Sequence, residues 1–368
     1  MNAKTAYSDK KSAEEVVDEI RNEFKDIEIK MLVFFASSIF APDELSQKLQ
    51  EAFTGCQVFG CTTAGEIISG KMLKNSVVAM AFDSEVIEDV RIEVLENIKE
   101  EDNVKKVFSS FEEYYKMPMT EMDFKKYVGI ILIDGLCGVE EKIVDKIGDL
   151  TNILFVGGSA GDDLKFSSTY VFANGKAFSN GAVIALLKPR AGFEIIKTQS
   201  FCIKDTKLTA TKANEDKREV LEFNNKPASL AYAEAIGKPV EDAHNFFMHN
   251  PVGLIIDGEP YVRSPQQIKG NKMVFYCNVV EGMEVSLLES TDIVKDTKEV
   301  IENKKKEIDN ISGIINFHCI LRTLELEQKG QEEEYGKIFS DIPTIGFSTY
   351  GEIYMGHVNQ TSTMLVFK

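Results

Sequence analysis

Tryptophan is absent from this chain of 368 residues, and histidine and arginine are scarce, with four and six copies. The six cysteines form no C-x-x-C pair, and no close cysteine pair is matched by a close histidine pair. This spacing disfavours a structural zinc site. We expect the thiols to be reduced and mostly buried.

The chain also lacks a hydrophobic run long enough to cross a membrane. Its longest apolar stretches, such as MLVFFA at 31–36 and VGIILI at 128–133, have the length of a strand. The N-terminal residues contain no apolar segment of the kind that marks a signal peptide. A formal net charge of −17 repels phosphate backbones and anionic lipids. The composition therefore predicts a cytoplasmic protein with no nucleic-acid partner and no membrane insertion.

One order of elements recurs three times along the chain: strand, helix, strand, glycine-rich loop and two further strands. The length exceeds that of one ordinary core, and hydrophobic residues make up 43% of the chain. We predict an α+β fold in which the repeated units form mixed sheets covered by helices, in two tightly packed domains. The predicted boundaries are an N-terminal helix or leader at 1–29, a first domain at 30–224 and a second at 225–368.

Two of the loops carry nearly the same polar string, GCTTAGEI at 60–67 and GFSTYGEI at 346–353, and GGSAGDD at 157–163 takes the same place in the middle unit. Glycine allows a tight turn, and successive backbone N–H groups in such turns form a concave site for a carboxylate. The hydroxyls add neutral donors, and the acidic side chains could hold an ammonium group. These features predict a cleft for a small amino-acid-like ligand, lined by Thr62, Thr63, Gly65, Glu66, Ser159, Asp162, Ser348, Thr349, Gly351 and Glu352. The alternative is that these side chains only cap turns and satisfy backbone amides.

Arg263 and Arg322 are further candidates for ligand contacts, because each stands beside a suggestive motif and a guanidinium grips a carboxylate with a planar fork. Each could equally pair with a buried glutamate. The four histidines, at 244, 249, 318 and 357, are candidate haem ligands and also ordinary hydrogen-bonded structural residues.

Ser159 also lies in a G-x-S-x-G string that follows a predicted strand, which is the pattern of a hydrolase nucleophile. A nucleophile elbow turns directly into a helix, whereas the alternation of residues after this loop indicates strands. The pattern therefore keeps a serine hydrolase only as a lower-ranked alternative.

Longer strings resemble the FIST family, in both its N- and C-terminal domains, from about residue 30 to the end. They include LIDGLCGVEEKIV at 132–144, NPVGLIIDGEPYVRSP at 250–265, HCILR at 318–322 and NQT at 359–361. The resemblance implies a cytoplasmic sensory module that binds a small ligand, with amino acids as a proposed class, and feeds signal transduction. A subset of the family looks like haem-containing nitric oxide sensors. Many relatives carry histidine directly before NQT, but here Val358 has that place and His357 stands one residue earlier, on the opposite face of a regular strand.

Residues and resemblance together favour a non-enzymatic sensor that binds a small polar ligand and needs no cofactor. We recognise no output domain in the chain, so the expected partner is a separate signalling protein such as a histidine kinase, a chemoreceptor or a diguanylate cyclase. The first alternative is a haem-based nitric oxide sensor with His357 as the haem ligand. The second alternative is a serine hydrolase that uses Ser159.

Overall fold

The computed structural model describes residues 3–100 and 103–368, and the first two units share one order of elements. The first unit consists of β1 (Lys4–Ser8), α1 (Ala13–Glu23), β2 (Met31–Ser37), α2 (Pro42–Ala52), β3 (Gln57–Thr63), β4 (Glu66–Ile68), β5 (Lys71–Leu73) and β6 (Val77–Phe82). The second consists of β7 (Ile87–Glu96), α3 (Val104–Tyr115), β8 (Val128–Ile133), α4 (Glu140–Leu150), β9 (Phe155–Ser159), β10 (Val171–Ala173), β11 (Lys176–Phe178) and β12 (Gly181–Pro189).

The third unit begins with β13 (Phe193–Gln199) and is interrupted by an inserted segment, which forms an eight-stranded antiparallel sheet with one helix. The inserted elements are β14 (Phe201–Asn214), β15 (Glu219–Phe223), β16 (Lys226–Pro227), α5 (Ala228–Ile236), β17 (Val252–Ile256), β18 (Glu259–Arg263), β19 (Pro265–Lys269), β20 (Lys272–Phe275) and β21 (Glu284–Ser290). The unit then continues with α6 (Ile293–Glu307), β22 (Gly313–Cys319), α7 (Ile320–Lys329), α8 (Glu332–Lys337), β23 (Thr344–Thr349), β24 (Glu352–Tyr354), β25 (His357–Val358) and β26 (Thr361–Phe367).

The three units build three six-stranded sheets with the same strand arrangement. The centre of each sheet is a parallel pair, β2–β3, β8–β9 or β22–β23, and the return strand of the unit pairs antiparallel with the first strand of that pair. The short hairpin after each glycine loop extends a neighbouring sheet instead of its own: β4–β5 joins the third sheet, β10–β11 the first and β24–β25 the second. This cyclic exchange binds the three units into one body.

The three sheets share a central hydrophobic core, and helices cover their outer faces. Because side chains of a strand point alternately to the two faces, Val33 and Phe35 of β2 lie in the central core, whereas Leu32 and Phe34 pack beneath α1 and α2. In the same way α3 and α4 cover the second sheet, and α6, α7 and α8 cover the third. The predicted α+β class, with mixed sheets covered by helices, is confirmed.

Several local features have causes in the nearby sequence. Ser12 Oγ accepts a hydrogen bond from Glu15 N at 3.3 Å and so caps α1, and β14 and β15 form a hairpin whose turn follows residue 214. The sequence analysis missed β1, which pairs antiparallel with β6. The domain boundary at 224/225 stays a prediction, and the second and third sheets each contain strands from both sides of it. Among the described residues, no helix has the length and apolar character needed to cross a lipid bilayer.

A glycine occupies the equivalent position in the last strand of each parallel pair, at residues 60, 157 and 346. A Cβ atom at Gly60 would lie 1.8 Å from Phe34 O, and one at Gly157 would lie 1.8 Å from Ile131 O. In the strand register, each of these two glycines lies directly beside the residue whose carbonyl oxygen would clash with an added Cβ atom. The close approach of two parallel strands therefore explains why glycine precedes each loop.

We expect Gly157→Ala to lower the free energy of unfolding by about 1–3 kcal/mol, because the added methyl group forces the two strands apart. The matched control is Gly148→Ala in α4, where an added Cβ would meet no atom within 4 Å. Alanine is the better helix former, so this change is expected to stabilise the protein by up to about 1 kcal/mol. Urea unfolding followed by circular dichroism measures both, and equal effects of the two substitutions would contradict the steric explanation.

Candidate functional site

The three glycine-rich loops meet at the carboxyl ends of β3, β9 and β23, where their backbones are hydrogen-bonded to one another in a ring. The ring bonds run from Ala64 N to Ser348 O (3.1 Å), from Tyr350 N to Ser159 O (3.1 Å) and from Gly161 N to Thr62 O (3.0 Å). These three N–H groups are therefore used inside the protein, and the ring links all three units.

The two glutamates of the repeated polar string are buried and accept hydrogen bonds near their own loops. Glu66 accepts from Thr63 Oγ1, from Ser76 Oγ at 2.6 Å and from Ser76 N at 3.1 Å. Glu352 Oε2 accepts from Thr361 Oγ1 at 2.8 Å and from Thr361 N at 3.1 Å, whereas Oε1 has no hydrogen-bond partner among the described residues. Burial raises the pKa of Glu66 to about 7 and the pKa of Glu352 to about 8. Each carboxyl group ties its loop to the start of the return strand.

The middle loop, which is longer, is held by two aspartates. Asp162 accepts hydrogen bonds from the backbone N–H groups of residues 166–168 and from Tyr350 Oη at 2.6 Å. Burial opposes ionisation of this group, but the hydrogen bonds hold the pKa of Asp162 below its ordinary value. Asp163 accepts from Ser37 Oγ at 2.9 Å and so connects the loop to the first unit.

The other predicted contact residues also have partners within the protein. Arg322 is 1% exposed and donates to two hydroxyl oxygens, and Arg263 donates to His357 O at 3.3 Å. Ser159 is fully buried, and its Oγ donates to Glu140 Oε1 at 3.0 Å. The partner of this hydroxyl is a carboxylate and not an imidazole, so the geometry lacks the nucleophile–histidine pair of a serine hydrolase.

A cavity of about 600 Å³ opens between the second unit, the third unit and the inserted sheet. Its volume lies within the usual range of small-molecule sites. The apolar part of its lining includes Leu136, Phe166, Val274, Phe275, Ile320 and Leu324. The polar part includes Cys137, Glu140, Arg218, Tyr276, Tyr350 and Asn359. The cavity therefore offers both polar groups and apolar surface to a bound molecule.

Asn359 contributes a polar side chain to this lining. The residue is 1% exposed, and its Oδ1 has no hydrogen-bond partner among the described residues. A buried acceptor without a donor costs free energy. Glu140, which is 3% exposed, adds a buried carboxylate to the same lining. The lining thus includes one buried carboxylate and one side-chain amide.

Arg218 connects the inserted sheet to the first turn of α4. Its Nη2 donates to Glu140 Oε2 at 2.6 Å and to Glu141 Oε2 at 2.5 Å, and its Nη1 donates to Tyr276 O at 2.8 Å. Burial alone would raise the pKa of Glu141, but His357 and Arg218 hold it well below its ordinary value. Burial likewise opposes the charge of Arg218, and the two carboxylates raise its pKa.

Three side chains have atoms that could bind a metal ion within 4.8 Å of one another: Glu140, Glu141 and His357. Arg218 already bridges the two carboxylates, and His357 Nδ1 lies 3.0 Å from Glu141 Oε1. His357 Nε2 faces the backbone at 351, where an added Cβ would lie 2.0 Å from it. This crowding leaves no room for an iron atom at Nε2, so the surroundings of His357 do not fit a haem.

None of the twelve residues predicted to contact the ligand lines the 600 Å³ cavity. Ser159 and Asp162 lie one hydrogen bond away from it, through Glu140 and Tyr350. Ser348 lines a separate cavity of about 320 Å³. The sequence analysis missed Glu140 and Asn359, although both belong to strings that resemble a known family. Nothing in the sequence pointed to Arg218, because the two glutamates to which it donates hydrogen bonds are 77 and 78 positions away.

Comparison with known proteins identifies the family. The FIST N domain matches residues 30–226, and the FIST C domain matches residues 228–355. The chain belongs to the FIST family. FIST domains are sensory domains of signal transduction, and the family is not a known enzyme family. The FIST protein is also 25% identical, over 304 residues, to an uncharacterized protein of Methanocaldococcus jannaschii; the match covers 76% of this chain and 57% of that relative.

Both FIST regions contribute to the cavity. Glu140 and Phe166 belong to the FIST N region, and Tyr276 and Tyr350 belong to the FIST C region. A molecule bound in the cavity would therefore contact both regions at once.

Proposed function

We propose that this FIST protein is a sensor whose cavity binds a small molecule with an amino-acid-like polar head and an apolar body. The cavity of about 600 Å³ is the main support for this proposal, because its lining combines apolar and aromatic surface with the polar side chains of Glu140, Arg218 and Asn359. The ring of loops supports it indirectly. The backbone groups and carboxyls of the ring are largely taken up by one another, which leaves the cavity as the better site.

The position of the cavity also suits a sensory role. Its lining joins α4, the inserted sheet and α7, and Arg218 bonds the inserted sheet to the start of α4. A ligand that competes for Glu140 or Arg218 would bind one packing of these elements better than another, and that difference is what shifts a conformational equilibrium. The shift would change the surface offered to a separate partner, such as a histidine kinase, a chemoreceptor or a diguanylate cyclase.

Isothermal titration calorimetry with a panel of amino acids tests the site. We expect Asn359→Leu to weaken binding of any amino acid that binds the wild type by at least about tenfold, the equivalent of ~1.4 kcal/mol. The double variant Glu66→Gln/Glu352→Gln is expected to keep wild-type affinity, because both side chains lie in the ring and do not line the cavity.

The opposite pattern, with binding lost in the double variant and kept in Asn359→Leu, would move the site from the cavity to the loops. Native mass spectrometry of the purified protein, with its visible spectrum, is a further check. A small co-purifying mass without a Soret band agrees with the proposal, whereas a haem mass with a Soret band contradicts it.

A further inference from the structure

We propose that the third unit holds a monovalent, halide-sized anion beside Arg322, where α7 meets α6 and the end of β13. The site is separate from the 600 Å³ cavity, whose lining does not include Arg322. The inference therefore does not rest on the proposed function, and it assigns a second binding site to the protein.

Arg322 is a buried cation without an anionic partner in the part of the chain that the structure describes. It is 1% exposed, and no carboxylate oxygen of the described residues lies within 4.0 Å of its guanidinium group. Arg218 provides the contrast, because the carboxylates of Glu140 and Glu141 both pair with its guanidinium. A buried charge normally has an ion partner, since removing it from water is costly. The surroundings of Arg322 therefore lack a negative charge.

The hydrogen bonds around Arg322 also lack acceptors. Its Nη1 donates to Ser200 Oγ at 3.4 Å, and its Nη2 donates to Thr297 Oγ1 at 3.0 Å. A guanidinium has five N–H groups, and Nε of Arg322 is buried with no hydrogen-bond partner among residues 3–100 and 103–368. The two hydroxyl groups accept from Arg322, and neither donates its own proton to a described residue. A buried cation surrounded by spare donors indicates a bound ion or water.

His318 adds a further N–H group without an acceptor. Burial and the charge of Arg322 hold the pKa of His318 well below its ordinary value, so the imidazole is neutral. Its Nδ1 lies 3.0 Å from Tyr335 Oη, and that hydroxyl accepts from Asn316 Nδ2 at 3.2 Å. The hydroxyl proton is therefore available to Nδ1, which leaves the ring proton on Nε2. This nitrogen is buried and has no hydrogen-bond partner in the described chain.

Glu352 does not supply the missing negative charge. It is buried, and the charge of Arg322 acts on it, but its hydrogen bonds come from Thr361. Burial raises the pKa of Glu352 to about 8, so its carboxyl group is mostly protonated and uncharged at pH 7. A water molecule beside Arg322 would accept hydrogen bonds but would leave the guanidinium charge unpaired. An anion satisfies both the donors and the charge.

The enclosure of the site determines which anions fit. Ser200, Thr297 and His318 are at most 2% exposed, so a ligand with an organic body is excluded. Sulfate and phosphate carry more charge than one guanidinium neutralises, and their dehydration costs more. The site therefore selects a monovalent, weakly hydrated ion, and bromide is a suitable probe.

Thermal unfolding of the full chain in sodium bromide tests the site, with sodium gluconate added to keep the ionic strength at about 0.1 M. We expect bromide to raise the Tm in a saturable way, by roughly 2 °C or more, because an ion that binds only the folded state stabilises it. Gluconate is too large for the enclosed site and is expected to give no such shift. A crystal grown in bromide is expected to show an anomalous peak beside Arg322 Nε.

Matched variants locate the ion. Arg322→Met removes the cation, and bromide is expected to leave its Tm unchanged, whereas Arg21→Met removes an exposed arginine and is expected to keep the wild-type shift. If Arg322→Met does not fold, Thr297→Val decides, because it removes one hydroxyl and keeps the shape of the side chain. It is expected to raise the bromide concentration at the half-maximal shift by about fivefold or more. Thr151→Val removes a buried hydroxyl of the second unit and is expected to leave that concentration unchanged.

Two results overturn the proposal. The first is a Tm that bromide does not raise relative to gluconate, which means that water and not an anion lies beside Arg322. The second is a bromide shift that keeps its wild-type concentration dependence in Arg322→Met or in Thr297→Val, which places the ion elsewhere. An anomalous peak beside Arg322, with a shift that these variants lose or weaken, supports the site.

Discussion

Replacing Arg218 with methionine is expected to lower the free energy of unfolding by about 3–5 kcal/mol, because the change removes the guanidinium that pairs the buried Glu140 and the partly buried Glu141. Glu140 is 3% exposed and the side chain of Glu141 is 17% exposed, and both accept hydrogen bonds from the same guanidinium nitrogen. The substitution also breaks the connection between the inserted sheet and α4. Urea unfolding at pH 7 measures the loss, and limited proteolysis shows whether the inserted sheet opens first.

Two further variants make this expectation specific. Arg21→Met breaks an ion pair with Asp18 whose side chains are 57% and 54% exposed, and it is expected to cost no more than about 1 kcal/mol. In the triple variant Glu140→Gln/Glu141→Gln/Arg218→Met no buried charge is left unpaired, so we expect most of the lost stability to return. A loss below 1 kcal/mol in Arg218→Met, or no recovery in the triple variant, would show that this ion cluster does not hold the inserted sheet.

The strands and helices of the three units could be predicted because their causes are local. Strand β2 is apolar on both faces, and the capping pair Ser12 and Glu15 marks the start of α1. The exchange of hairpins could not be predicted in this way. A strand as short as β4 has no feature in its sequence that indicates the strand with which it pairs. Its pairing with β23 joins residues nearly three hundred positions apart, Ile68 with Ile345. Only the packing of the three sheets decides that choice.

In the candidate site, too, local features could be predicted from the sequence and long-range contacts could not. The sequence analysis singled out the polar strings, and the structure gives many of their residues internal hydrogen bonds, as with Thr63 and Glu66. What makes the cavity chemically distinct is the meeting of Glu140, Arg218 and Asn359, which come from α4, the inserted sheet and the segment before β26. No spacing rule connects residues so far apart in sequence. Similar strings in a family could have drawn attention to Glu140 and Asn359, but not to Arg218.

The double variant Glu66→Gln/Glu352→Gln is expected to be more stable than the wild type at pH 8.5, by on the order of 3 kcal/mol for each carboxyl group. Burial raises the pKa of Glu66 to about 7 and that of Glu352 to about 8, from an ordinary value of 4.5. The folded protein therefore holds these two protons more tightly than the unfolded chain does. The free energy of unfolding consequently falls as the pH rises from about 4.5 to about 8, and this contribution is flat outside that window.

Glutamine preserves the hydrogen bonds while removing the titration. In Glu66→Gln the amide oxygen can take the place of Oε2, which accepts from Ser76, and the amide nitrogen can donate to the Thr63 hydroxyl after that hydroxyl rotates. In Glu352→Gln the oxygen can take the place of Oε2 beside Thr361. The variant is thus expected to match the wild type at pH 4.5 and to diverge from it at higher pH.

Urea unfolding at half-unit steps from pH 4.5 to 8.5 measures this difference directly. Taking the difference between variant and wild type removes the contributions of other groups, such as Asp162, whose lowered pKa affects stability at more acidic pH. Glu44→Gln, on the exposed side of α2, is the matched control and is expected to leave the curve unchanged. Parallel curves for the double variant and the wild type would mean that the two carboxyl groups stay ionised in the ring. In that case the ring would carry two buried negative charges, and its hydroxyl donors would have to be the groups that stabilise them.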